Sequence, residues 1–322
     1  MPKFRWGILG TGTIAGKFAE GLAATDDALP VAVGSRSRAS AERFGQAFGI
    51  EHRHDSYEGL ANDPAVDAVY VATPHSLHRE NTLACLRAGK HVLCEKPFAI
   101  NAGEADDMVL CARDNGRFLM EAMWTRFNPV TKRVRERIAS GAIGEPRMLA
   151  CDFGFRTDFD RKSRLFDPRL GGGALLDVGV YCVSYAHMLF GGPPEVITGT
   201  AQLGTTGVDE QSAWLFRYGG GELAVMSAAV RTNTPQEAVV TGTESRLRVP
   251  RFWCPDRLFV GKSEERFEIA GNGYHYQALE VARCVRAGKL ESEVMPLGES
   301  LDVMRSLDRI RAQWGLVYPM EG

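Results

Sequence analysis

Glu95-Lys96-Pro97 directly follows the apolar run His91–Cys94, which reads as a strand. Pro97 cannot extend a strand and holds the residue before it extended, so the Lys96 ammonium is expected at a strand end. A second chemical segment is Gly171-Gly172-Gly173-Ala174-Leu175-Leu176-Asp177-Val178-Gly179-Val180-Tyr181. Its glycine run lets the backbone come close to something flat. The helix that follows would carry Asp177 and Tyr181, four residues apart, on one face. A phenol with its ordinary pKa of about 10 is a poor base at neutral pH. A neighbouring ammonium stabilises the phenolate and lowers that value, which makes Lys96 and Tyr181 a candidate proton-transfer pair. The same residues fit a helix tyrosine whose hydroxyl is capped by Asp177.

Two further segments carry polar groups where strands would finish. Thr73-Pro74-His75-Ser76-Leu77-His78 follows the apolar run Val66–Ala72. His75 and His78 have a spacing that could bind a metal, but no third ligand lies near in sequence. Helix-entry capping and cofactor contact are the expected roles, and no metal is expected. Trp124-Thr125-Arg126-Phe127 follows Phe118–Glu121. Its indole and guanidinium could pack on a nicotinamide or a ring-shaped substrate, or equally between domains. Arg161, Lys162 and Arg164 could greet an anionic group, but a charge run in a loop is usually solvated.

These groups need a scaffold that gathers strand ends. Gly10-Thr11-Gly12-Thr13-Ile14-Ala15 closes the run Phe4–Leu9 and opens a helical pattern with Ile14, Phe18 and Leu22 on one stripe. Gly10 permits the tight turn, Gly12 lets a pyrophosphate approach, and the helix offers unpaired N–H groups to the phosphates. Strands at Pro30–Gly34, Val66–Ala72, His91–Cys94 and Phe118–Glu121 alternate with helices at Ile14–Ala24, Ala39–Phe48, Leu77–Ala88 and Ala102–Asn115. That rhythm is α/β: a doubly wound parallel sheet, the expected nucleotide-binding domain over residues 1–123. Its second strand ends in Ser35-Arg36-Ser37-Arg38, with hydroxyls and guanidinium groups in place of the carboxylate that favours NAD. NADP is therefore expected, with NAD as the alternative.

The pattern changes over residues 124–322. After a helix at Pro129–Ala139, Val196–Leu203 alternates in two faces, with Ile197, Gly199, Ala201 and Leu203 on one. Ala213–Tyr218 and Glu222–Val230 flank three glycines, a hairpin. Strands follow at Glu237–Thr241, Ser245–Val249, Leu258–Val260 and Arg266–Ile269. Two helices close the chain, the last with Val303, Leu307, Ile310 and Trp314 on one stripe. This is an α+β domain on a large open, mostly antiparallel sheet; helices cover one face, leaving the other for a second copy in a homodimer.

A net charge of −2 over 322 residues gives no reason to expect nucleic acid or an anionic membrane as partner. No apolar run is expected to span a membrane, and the first strand starts too near Met1 for a signal peptide. Seven cysteines without a CxxC pair point to a reducing cytoplasm. Most would be core residues; Cys94 stands out because it precedes Glu95-Lys96.

The motifs GTGTIA, TPHSLH, CEKP, EAMWTRF, GGGALLDVGVY, YHYQALEVARCVRAGK and LDRIRAQWGL together resemble the Gfo/Idh/MocA oxidoreductases. That family joins a Rossmann domain to an open-sheet α/β domain and uses NAD(P). Tyrosine at 181, WTRF and the paired histidines are similar to its dimeric dihydrodiol dehydrogenase and NADP-dependent D-xylose dehydrogenase branches. The resemblance implies hydride transfer between nicotinamide and a secondary alcohol of a sugar or cyclic trans-diol. Lys96 and Tyr181 would move the proton, with Asp177 in support. Trp124 and Phe155, with Asp177 and Tyr181, would meet substrate. Cofactor contacts would come from Gly10, Gly12, Thr13, Ile14, Ser35, Arg36, Arg38, Thr73, His75, His78, Glu95, Lys96 and Arg126, His78 also orienting substrate. Position 40 is Ser, so Arg38 takes the place of the second basic residue of the phosphate site. Two rivals are a nucleotide-retaining, glycosidase-type member of the family and a non-catalytic NADP(H)-sensing protein.

Overall fold

The computed structural model describes residues 2–322, which divide into two compact units. The first holds the chain through Ala99, Gly103–Trp124 and Ala270–Gly298; the second holds Ile100–Ala102, Thr125–Ile269 and Glu299–Gly322. Two contiguous domains at 1–123 and 124–322 therefore need a correction, because Ala270–Gly298 returns to the first unit. Polar contacts tie it there: Asn272 Nδ2 donates to Lys17 O at 2.7 Å, Arg286 pairs with Asp27 at 2.6 Å, and Leu119 N–H donates to Leu290 O at 3.1 Å.

Six parallel strands build the first unit: β1 Phe4–Leu9, β2 Ala28–Gly34, β3 His52–His54, β4 Ala68–Val71, β5 His91–Glu95 and β6 Leu119–Ala122. Their order is β3-β2-β1-β4-β5-β6. The order reverses at β1, the position where open α/β sheets bind ligands beyond their strand ends. Helices α1 Thr13–Leu22, α2 Arg38–Phe48, α3 Tyr57–Ala61, α4 His78–Arg87 and α5 Ala102–Asp114 lie between the strands. All four residues of β4 are buried, as a strand covered on both faces requires. Beside it Phe18 of α1 stacks on Tyr70 at 3.9 Å and meets Trp6 edge-on. The edge strand β3 has no apolar residue, so periodicity misses it; its pairing with β2 creates it.

The second unit opens with α6 Pro129–Ala139, started by the Asn128 side chain accepting the Val130 N–H. Its sheet has eight strands: β7 Pro146–Gly154, β8 Val196–Leu203, β9 Asp209–Arg217, β10 Leu223–Ala229, β11 Glu237–Gly242, β12 Arg246–Pro250, β13 Arg257–Val260 and β14 Ser263–Arg266. The order is β14-β13-β12-β11-β7-β10-β9-β8, antiparallel except for the β7–β10 pair. β9 and β10 form the expected glycine hairpin, with Gly221 at φ +90°. The last strand is Ser263–Arg266, not Arg266–Ile269, since the turn at Gly261 sets its start and a polar edge needs no apolar pattern. Strand β7, not singled out in the sequence, alternates with Leu149, Cys151 and Phe153 buried, and it is central.

Helix α7, Val180–Phe190, runs through the core of this unit. Pro168–Phe190 is 23 residues long and apolar enough to cross a membrane, so the expectation of no such run is corrected; 83% of the apolar window is buried inside the protein. Helices α8 His275–Arg286 and α9 Leu297–Ala312 follow, and Trp314 lies past the end of α9 rather than on its stripe.

Candidate active site

Gly10 sits at φ +112°, and a Cβ there would lie 2.7 Å from Ala72 O. Glycine is thus required by the close approach of β1 to β4. Gly12 is different. It precedes α1 with ordinary φ of −80°, no side chain caps the helix, and a Cβ would meet no protein atom within 4 Å. The chain's own packing does not demand glycine there, but a pyrophosphate crossing an uncapped helix N-terminus does. Thr13 and Ile14 form that first turn, so the residues fit a dinucleotide. At the end of β2, Ser35 is buried, its N–H donating to His54 O at 3.1 Å. Arg36 is exposed and makes no hydrogen bond or ion pair among the described residues. Arg38 is held by Glu42 at 2.8 Å.

Beyond β4 and β5, Thr73, His75, Glu95 and Lys96 gather in the first unit. Thr73 Oγ1 accepts from Asn81 Nδ2 at 3.2 Å, and His75 packs edge-on to His78 with ring centres 5.7 Å apart. Glu95 is buried, accepting the Tyr70 hydroxyl and, at 3.2 Å, the Lys96 N–H. The Lys96–Pro97 peptide is cis. His78 requires a correction. It is fully buried, with Nδ1 2.8 Å from Pro97 O and Nε2 3.0 Å from Thr73 O. Burial pushes its pKa down to about 4, so the ring is neutral and its single N–H donates to one of the two carbonyls. His78 thus latches the Thr73 loop to the Lys96-Pro97 loop and has no surface for cofactor or substrate. Cys94 is a core thiol, raised in pKa by burial.

In the second unit the glycine run is explained by the protein itself. A Cβ on Gly172 would lie 2.8 Å from Leu165 O, and one on Gly173, at φ +115°, would lie 2.2 Å from Asp209 Oδ1. The helix then begins as a π-turn over Leu175–Gly179 before α7, so Asp177 and Tyr181 straddle a π/α junction rather than sharing one α-helix. Asp177 is buried and receives Arg164, Nη1 to Oδ1 at 2.8 Å and Nη2 to Oδ2 at 3.5 Å. Arg164 is thus not simply solvated. Arg161 and Lys162 are exposed. Tyr181 is buried with its ring edge-on to Phe153 at 5.4 Å.

Arg126 is the second correction. It is 2% exposed, and its guanidinium donates to Ser184 Oγ, to Ser184 O at 2.6 Å and to Glu299 Oε1 at 2.5 Å. A buried guanidinium so engaged packs the second unit and has almost no surface left for a cofactor. Trp124 is buried in the first unit, stacked on Tyr274 at 4.4 Å. Phe155 is half-buried beyond the end of β7, its N–H donating to Ala229 O at 3.0 Å. Sequence reading did not single out Asp209 or Tyr318, whose hydroxyl donates to Gly172 O at 2.7 Å. Neither carried a local signal.

A family model described as an oxidoreductase family with NAD-binding Rossmann fold matches residues 4–123, and one for the GFO/IDH/MocA C-terminal domain matches residues 131–248. Trans-1,2-dihydrobenzene-1,2-diol dehydrogenase of Mus musculus is 38% identical, with 98% of each chain aligned. The chain belongs to the Gfo/Idh/MocA oxidoreductase family. The enzyme of the same name from Danio rerio is also 38% identical over 98% of each chain. Among solved structures, aldose-aldose oxidoreductase from Caulobacter crescentus matches with TM-score 0.88 and 26% identity, covering 98% of each chain. A 3-ketoreductase from Actinomadura kijaniata in complex with NADP and TDP-benzene matches with TM-score 0.85 and 27% identity, covering 97% of this chain and 98% of that one. As a member of this family the protein is a dehydrogenase acting on CH–OH donors with a nicotinamide dinucleotide.

Proposed function

We propose that the protein is an NADP-dependent dehydrogenase of a secondary alcohol in a sugar or cyclic trans-diol, with Lys96 and Tyr181 moving the hydroxyl proton. The cofactor preference rests on one observation: exposed Arg36, at the end of β2, presents a guanidinium where NAD-selective folds place a carboxylate. The substrate class is supported by the names of the relatives, dihydrodiol dehydrogenases and an aldose-aldose oxidoreductase. Nicotinamide, when bound, supplies the hydride acceptor. Tyr181 takes the proton of the substrate hydroxyl, with Lys96 as its assigned partner in the transfer. Asp177, held by Arg164, keeps the turn before Tyr181 in place. The remaining assigned contacts are Gly10, Gly12, Thr13, Ile14, Ser35, Arg38, Thr73, His75 and Glu95 with cofactor, and Trp124 and Phe155 with substrate.

We further propose a cytoplasmic homodimer. The seven cysteines are all thiols, in keeping with a reducing compartment. The register of the second sheet puts Met148, Val196 and Val225, each at least 38% exposed, on the same open face. The opposite face, with Trp214, Phe216 and Met226, is buried. A second copy covering the open face would bury that apolar patch.

An absorbance screen at the NADPH band tests the reading, using D-xylose, D-glucose, myo-inositol and a trans-dihydrodiol with each cofactor. Turnover of at least one substrate, faster with NADP, is expected. Turnover with NAD alone would overturn the cofactor assignment, and none despite NADPH binding would favour a sensing protein.

A further inference from the structure

Strand β3 is short and polar, and alternation sends His52 and His54 to one side of it. Arg53 points the other way, donating to Ile50 O and to Glu42, each at 2.8 Å. The two imidazoles converge on one carboxylate oxygen: His52 Nδ1 lies 2.6 Å and His54 Nε2 2.8 Å from Asp63 Oδ2.

The carboxylate is held ready from the side away from the rings. Asp63 is 4% exposed, its Oδ1 accepts the Ala65 N–H at 2.8 Å, and its N–H donates to Leu60 O at 3.1 Å. Lys90 Nζ fixes the same turn through Asp63 O at 2.6 Å and Val66 O at 2.9 Å. Oδ2 is thereby left to the histidines. The three ligand atoms lie within 4.8 Å of one another.

We propose that His52, His54 and Asp63, none of them assigned to the dinucleotide or to proton transfer, form a binding site for a borderline divalent cation of the Zn2+ type. Two imidazole nitrogens and one carboxylate oxygen are the donor set such ions take, with water completing the shell. Bonds of about 2.0–2.2 Å in a tetrahedral shell need ligand atoms about 3.3 Å apart. Each ring therefore retreats from Oδ2 by about 0.5–0.7 Å, replacing a hydrogen bond with a metal bond. The His52 side chain, 45% exposed, and the His54 side chain, 27% exposed, have room to make that shift, while the carboxylate stays fixed. The ion joins the free edge of the sheet to the turn after α3.

The test is calorimetric titration of the full-length, chelator-stripped protein with Zn2+, alongside thermal unfolding with and without the ion. One ion per chain and a raised Tm are expected. His52→Ala removes one ligand from an exposed position and is expected to fold normally. It should weaken Zn2+ binding by at least the about 10- to 100-fold that loss of a supporting partner costs a metal site, and abolish the Tm rise. Cobalt substitution should give visible absorption of a tetrahedral site in the wild type and not in His52→Ala. Equal Zn2+ affinity in the two proteins, or no binding by the wild type, would overturn the assignment.

Discussion

Oδ2 of Asp209 accepts the Leu175 N–H at 2.7 Å, joining the start of β9 to the first residue of the π-turn that leads to Tyr181. Ser212 Oγ donates to the same oxygen at 3.2 Å, and Oδ1 lies against Gly173. A fully buried carboxyl thus anchors the segment that carries Asp177 and Tyr181. Burial, outweighing these hydrogen bonds, pushes its pKa up to about 7.

That shift has a sign. Unfolded, the carboxyl releases its proton near pH 4; folded, it keeps the proton to about pH 7. The stabilisation is full below pH 4 and is lost as pH rises through 7. Asp209→Asn keeps a carbonyl for the Leu175 N–H but cannot ionise. The Tm of the variant relative to wild type is therefore expected to rise between pH 5 and pH 8, read by thermal unfolding. An equal difference at both pH values would refute the Asp209 titration.

Tyr181→Phe and Lys96→Met are each expected to lower kcat by about 10²–10⁴-fold, the usual worth of positioned proton transfer. NADPH affinity, measured by fluorescence titration, should remain close to wild type. Residues that act as one unit are non-additive, so the double variant should be no slower than Tyr181→Phe alone. Multiplied losses would mean that the two side chains act independently.

Two glycines of the first turn should fail in different ways. Gly10→Ala places a Cβ against Ala72 O at φ +112° and is expected to cost about 1–3 kcal/mol, seen as a lower Tm. Gly12→Ala meets no protein atom, so its Tm should match wild type. Its NADPH affinity should fall by about tenfold, roughly 1.4 kcal/mol. A Gly12→Ala protein binding NADPH normally would remove the pyrophosphate from this turn.

Arg36→Ala is expected to weaken NADP about 10- to 100-fold, the range of a lost charge-assisted hydrogen bond, while NAD binding changes little. Arg38→Ala should cost NADP less, because Glu42 already engages that guanidinium. Dissociation constants for both cofactors decide it; equal losses for NADP and NAD in Arg36→Ala would contradict the phosphate contact.

Much of the scaffold was legible because it is written in short periods. The run Phe4–Leu9 with its glycine turn, and the two faces of β8, repeat at intervals the backbone imposes, every 2 or 3.6 residues. The polar strand β3 lacked such a period and went unseen until β2 paired with it, whereas β7 has one, in Leu149, Cys151 and Phe153, too short and too near the turn at Gly144 to stand out. The need for glycine at Gly10 was readable from local geometry alone. His78 was not: its motif marked it as a contact, whereas both ring nitrogens face backbone carbonyls of two different loops.

Neighbouring residues in this chain determined by themselves that a dinucleotide turn follows β1, that guanidinium groups end β2, and that a lysine precedes Pro97. Only the tertiary structure decided which partners the buried ionisable groups took. Arg126 found Ser184 and Glu299, 58 and 173 positions away, Asp177 found Arg164, and Asp209 found Leu175. A desolvated charge must be satisfied by whatever group folding brings within 3 Å, and that choice leaves no periodic trace along the chain.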